Sequence, residues 1–106
     1  MPNYFDTNNF SIQIVDSHVV DANGTQTGFF TLPDEATGVF LQAINDDEFI
    51  RLDGSSSNIP DNGLRLFVSD GFVRFDLEPG KAIFYEGNSS SSELRWLFFK
   101  ISDGIA

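Results

Sequence analysis

The chain contains no cysteine. No disulfide can staple it, and no thiolate can act as nucleophile or metal ligand. That suits synthesis and life in a reducing cytosol. Histidine is almost as scarce. His18 is the only one, so a Ser-His-Asp arrangement would have to form around it, in DSHVV, with no serine in an activating context. It reads as a partly exposed strand residue. Bases are few, six against 16 acids, for a net charge of −10. Such a surface repels nucleic-acid phosphates and anionic lipid, so neither nucleic acid nor membrane is expected as a partner. Docking on a basic protein surface stays open. The opening MPNYFDTNNF has no basic region and no apolar run, so no signal peptide is expected. No stretch approaches the roughly 18–20 apolar residues that span a bilayer. The sequons at Asn23 and Asn88 are therefore read as chance.

Several chemical signatures are also missing. No GxSxG elbow, no GxxxxGK[ST] loop and no GxGxxG loop occurs. Asp46, Asp47 and Glu48 crowd one turn, and Asp34 and Glu35 another. Oxygen clusters can hold calcium, but NDDE lacks the spacing and central glycine of an EF-hand loop. It reads as a solvated hairpin tip. Paired carboxylates could serve a glycosidase, but no pair is placed by the sequence. Arg51, Arg65, Arg74 and Arg95 lie within strands and are expected to lie along apolar surface or to pair with acids. Neither enzyme activity, metal nor cofactor is expected.

What is present is strand. At 106 residues the chain is one domain, with residues 1–10 as an extended N-terminal arm. Twelve phenylalanines and many β-branched residues favour sheet. Clusters of Gly, Asn, Asp, Pro and Ser recur about every 8 to 12 residues, the spacing of a sandwich or barrel. The runs are FSIQIV, SHVV, TGFFTL, GVFLQAI, FIRL, LRLFV, FVRFDL, AIFYE and ELRWLFFKI. Asn23-Gly24 predicts a hairpin turn, and EPGK a type II turn. No window of helical length keeps a 3.6-residue period. The expectation is an all-β antiparallel sandwich or jelly-roll-like barrel of about eight strands, with no helix beyond about two turns.

Period-two alternation nominates Val39, Leu41, Ala43, Ile50, Leu52, Leu66, Val73, Phe75, Phe84 and Trp96 for the core. The last strand breaks the pattern. Leu94, Trp96 and Phe98 share one face, yet Leu97, Phe99 and Ile101 share the other. A sandwich strand ordinarily has one wet face. Two apolar faces imply a second cover, either the chain's own N-terminal segment or another subunit.

The stretch FIRLDGSSSNIPDNGLRLF, Phe49–Phe67, poses the question of a site. Its middle, Asp53 to Gly63, reads as a rigid crossover or docking loop. Asp53 bonds backbone two residues on, Pro60 holds the loop extended, and Asn62-Gly63 turns the chain back. Read from residue 28 to 101, the order of strands resembles small structural proteins of tailed bacteriophages. The matches are Gln42 and Ala43, Ile50 to Gly54, Pro60, Gly63 with Leu66, and Arg74 with Phe75. The N-terminus and the long GNSSSS loop depart from that pattern.

The resemblance implies a virion component without catalysis. It would be a capsid cement or decoration protein, made in the bacterial host cytoplasm and docked on the major capsid protein. Its assembly as a homo-oligomer, with a trimer favoured, places Leu97, Phe99, Ile101, Phe72, Tyr4 and Phe5 in oligomer or capsid interfaces. The alternatives are a tail or receptor-binding accessory, and a carbohydrate-binding sandwich module in which Trp96, Tyr85 and Tyr4 stack on sugar.

Overall fold

The computed structural model describes residues 10–15 and 19–103. Tyr4, Phe5 and His18 lie outside them. Among the described residues nine strands pair antiparallel: β1 (Phe10–Ile14), β2 (Val19–Asp21), β3 (Thr27–Thr31), β4 (Gly38–Ile44), β5 (Glu48–Arg51), β6 (Leu64–Leu66), β7 (Val73–Asp76), β8 (Ala82–Gly87) and β9 (Glu93–Asp103). The fold is the expected all-β sandwich, with one strand more than the eight anticipated. Helix among the described residues is limited to one turn, α1 (Ile59–Asn62), and a 3₁₀ turn at Val68–Asp70.

The larger sheet has the order β1-β9-β4-β7, and β2 also pairs with β9. β4 occupies one edge of β9, along Glu93 to Phe99. On the other edge β2 takes Leu94 to Trp96 and β1 takes Phe99 to Asp103. The smaller sheet has the order β3-β8-β5-β6. Most connections therefore cross between sheets. The Asn23-Gly24 turn is one of these. A turn forms there, with Gln26 N–H bonded to Asn23 C=O at 3.0 Å and Gly24 at φ 57°, but Asn23 opens the turn and does not take the positive φ of a type I′ hairpin turn. It does not close a hairpin, because β2 lies in one sheet and β3 in the other. A turn signal specifies a local reversal and says nothing of the pairing partner.

Between the sheets lies an aromatic centre. Phe30 stacks on Trp96 at 4.5 Å and meets Phe98 at 5.6 Å and Tyr85 at 6.0 Å. Val39, Leu41, Ala43, Ile50, Leu66 and Trp96 are buried as their alternation predicts. Leu52, Val73 and Phe75 pack at its margin. Phe84 is misplaced by the sequence reading. In AIFYE both parities are apolar, and the inward pair is Ile83 and Tyr85. Phe84 faces outward and stacks on Phe29 at 5.6 Å. Glycine decides this register: Gly28 lies opposite Tyr85, and a Cβ there would come within 2.5 Å of the ring.

The Asp53–Gly63 loop is tied down locally. Arg51 pairs with Asp53 and donates to Ser57 C=O, while Ser55 N–H donates to Asp53 Oδ1 at 3.1 Å, the expected Asx bond. Pro60 does not hold it extended. It sits in the first turn of α1, where a missing N–H is harmless. The anchor is Ile59, 1% exposed. Ile59→Ala is expected to lower the unfolding free energy by about 2–4 kcal/mol, read from the urea midpoint. Pro60→Ala, at an exposed position, should move it by under about 1 kcal/mol.

Candidate functional site

Two places gather the residues singled out by the sequence: the outer face of the larger sheet, and the end of the sandwich where the NDDE turn lies.

Cross-strand register fixes the outer face. Ile12 and Ile14 on β1 stand opposite Ile101 and Phe99, Val20 on β2 opposite Arg95, Phe40 on β4 opposite Leu97, and Arg74 on β7 opposite Phe40. Phe99 occupies its middle and is fully buried. This corrects its placement on an exposed interface. Its ring lies over Gly38, where a Cβ would come within 2.3 Å of it. Phe40 packs against it at 4.7 Å between centroids, and the Arg74 guanidinium caps it at 5.1 Å. Neighbouring side chains on the same face thus bury the ring without a second subunit. Around it the surface stays apolar. Ile14, Val20, Phe72 and Ile101 are exposed and Leu97 is half-buried. Charge there is nearly balanced. Arg74 pairs with Asp76 at 3.0 Å, and Arg95 donates to Gln42 at 3.1 Å.

The NDDE turn is not a hairpin tip. It carries the chain from β4 to β5, hence from sheet to sheet, through Asn45 at φ 67°. Its three acids each hold a different neighbouring connection. Asp46 accepts from Asn88 Nδ2 at 3.3 Å in the β8–β9 loop. Asp47 accepts from Val68 N–H at 2.9 Å and from Arg65 at 2.7 Å, fixing the β6–β7 connection. These bonds hold both carboxyls below the usual aspartate range, chiefly Ser89 and the Asp47 N–H for Asp46 and Val68 N–H for Asp47. Glu48 turns inward, fully buried, and accepts from Asn23 Nδ2 at 3.2 Å in the β2–β3 turn. Burial pushes its carboxyl up to about 8. The reading as a solvated tip missed this residue, although Glu48 stands two positions before Ile50 and so shares its inward face.

The sugar-stacking candidates fare differently. Trp96 and Tyr85 are 8% and 1% exposed. Tyr85 donates its hydroxyl to Asp21 at 2.5 Å, and burial followed by that acid pushes its ionisation upward. Neither ring can offer a face to ligand. Three of the four strand arginines pair with acids, at Asp53, Asp47 and Asp76. Among the described residues no group of three or more His, Asp or Glu side chains is placed to hold a metal ion. A shallow groove beside the Asp53 loop, lined by Arg51, Leu52, Asn62, Leu64 and Lys81, presents no cluster of converging polar groups beyond the Arg51–Asp53 pair. Compared with family models, with curated proteins and with solved structures, the chain matches none.

Proposed function

We propose that this protein is a non-enzymatic structural component of a bacteriophage virion, a capsid cement or decoration protein that assembles with copies of itself on the shell of the major capsid protein. The virion assignment rests on the strand-order resemblance between residues 28 and 101. The assembly half rests on one observation, the exposed band of Ile14, Val20, Phe72 and Ile101 around buried Phe99. On a molecule of net charge −10, two copies repel wherever acids face acids. On the outer face of the larger sheet Arg74 and Arg95 stand beside Asp76 and Glu93, so bases offset acids there. Closed symmetry would bury the same band on every copy, and a trimer is the expected order. The sugar-binding alternative loses the two rings it needed from the described residues.

Light scattering across a chromatography peak at tens of micromolar tests assembly. The expected result is a discrete homo-oligomer that Ile14→Asp with Ile101→Asp reduces to folded monomer. Both side chains are exposed, so the change in melting temperature should be small beside the change in mass. A wild-type monomer at that concentration removes the assembly half. Failure to bind empty phage shells of any tailed type in co-sedimentation removes the virion half.

A further inference from the structure

We infer that Glu48 is a proton-dependent latch, closing one end of the sandwich while its carboxyl is neutral and loosening it when the proton leaves. Four connections meet at this end: Ala22–Gln26, Asn45–Asp47, Phe67–Phe72 and Asn88–Ser92. Glu48 lies beneath them, with no exposed surface.

Its hydrogen bonding is incomplete in an informative way. Oε1 accepts from Asn23 Nδ2 at 3.2 Å. Oε2 has no donor, and Asn23 Oδ1, also buried, has none either. The site holds two unsatisfied acceptors and lacks a donor. A proton on Glu48 supplies the missing donor and removes the charge together. A hydrated cation would need six or more oxygens around it. The space beside Oε2 is filled instead. A Cβ on Gly87 would fall 2.1 Å from Gly24 O, 2.3 Å from Ser92 Cβ and 2.8 Å from Oε2.

The charged groups that bear on Glu48 from neighbouring elements are all acids. Asp21 comes from β2, Asp46 from the preceding turn and Glu86 from β8. Tyr85, also on β8, keeps its proton on the bond to Asp21. Arg65 on β6 is engaged by Asp47. An ionised Glu48 would thus meet no cation, and would sit in a dry site among like charges.

The direction with pH follows. In the unfolded chain the carboxyl titrates near 4.5, and in the fold near 8. The fold holds the proton more tightly, so the contribution of Glu48 to stability is full below about 4.5 and falls as pH rises towards 8. Beyond that the loss levels off. The consequence is local before it is global. The amides of Gly24 and Asn88, bonded to Ser92 C=O and Asp47 C=O at 3.0 Å, should open first.

Two measurements test the latch on the full chain. The first is carboxyl ¹³C NMR of Glu48, which should titrate above pH 7. A midpoint near that of a free glutamate overturns the proposal. The second is hydrogen exchange between pH 6 and 9. Gly24 and Asn88 should exchange progressively faster than base catalysis alone requires, by about tenfold per unit until the midpoint, while Leu41 and Val39 at the sheet centre lag. Glu48→Gln, neutral at every pH, should abolish the excess. If it leaves the excess unchanged, the latch is wrong. Should that variant not fold, the wild-type ¹³C titration alone decides.

Discussion

Phe99→Asp is expected to unfold the chain and not to release folded monomers. The ring is fully buried, on the face opposite the main core, under Phe40 and Arg74 and over Gly38. Truncation to alanine at such a site costs about 3–5 kcal/mol. Aspartate adds a carboxylate at a buried position where the one base overhead, Arg74, is already paired with Asp76, and burying that charge costs several kcal/mol more. A domain of this size holds about 5–15 kcal/mol in all. Far-UV circular dichroism at 25 °C should show loss of strand for Phe99→Asp, and a urea titration should show Phe99→Ala folded but weakened by about 3–5 kcal/mol. Gly38→Ala should be damaging from the other side, since its Cβ would lie 2.5 Å from Phe75 C=O as well as against the ring. A soluble, strand-rich Phe99→Asp protein would mean that the ring is not part of the chain's own packing.

The second large effect is expected at Gly87. Its backbone is not in the left-handed region, so conformational freedom is not why glycine stands there. Space is the reason: alanine would press on the carbonyl of Gly24 and the Cβ of Ser92, two other connections of the same end. Both are backbone or short side chains that cannot swing away. Gly87→Ala should therefore cost about 3 kcal/mol or more, as overpacking a tight site does. Gly80 offers the contrast. Nothing lies within 4 Å of its Cβ position, but its φ is 78°. Gly80→Ala should cost only the left-handed penalty of about 1–2 kcal/mol. Paired urea titrations at pH 6 give both numbers, and equal losses would refute the steric account.

Local patterns in the sequence reached as far as parity and turns reach. GVFLQAI alternates, and Val39, Leu41 and Ala43 are buried accordingly. ELRWLFFKI announced two apolar faces: the inner one is buried in the core, while on the outer one Phe99 is buried, Leu97 half-buried and Ile101 exposed. What buries Phe99 is invisible in one strand: it takes Gly38 opposite the ring, a pairing across some sixty residues of chain. Phe84 and Tyr85 could not be told apart, because AIFYE is apolar on both parities and the choice falls to Gly28 on another strand. Glu48 was legible and overlooked. Its charge argued for solvent, while its position two before Ile50 argued for the core, and the position was right. The Asn23-Gly24 turn formed, but turn chemistry does not say which sheet comes next.

The placement of β9 also bears on how the chain is made. Three strands of the larger sheet, β1, β2 and β4, pair with β9, which is translated after the other eight described strands. With synthesis at about 5–20 residues per second, β4 waits several seconds for β9, with β7 the only partner available to its other edge. Pairing across such long separations is also slow in itself, on the order of milliseconds to seconds. The larger sheet then closes in one event, when β9 slots between strands already translated. Until that moment the nascent chain presents unpaired, phenylalanine-rich edges, the form in which aggregation competes with folding. The acids of the strands and loops already made, 14 of the sixteen, set neighbouring nascent chains against one another by charge during that interval.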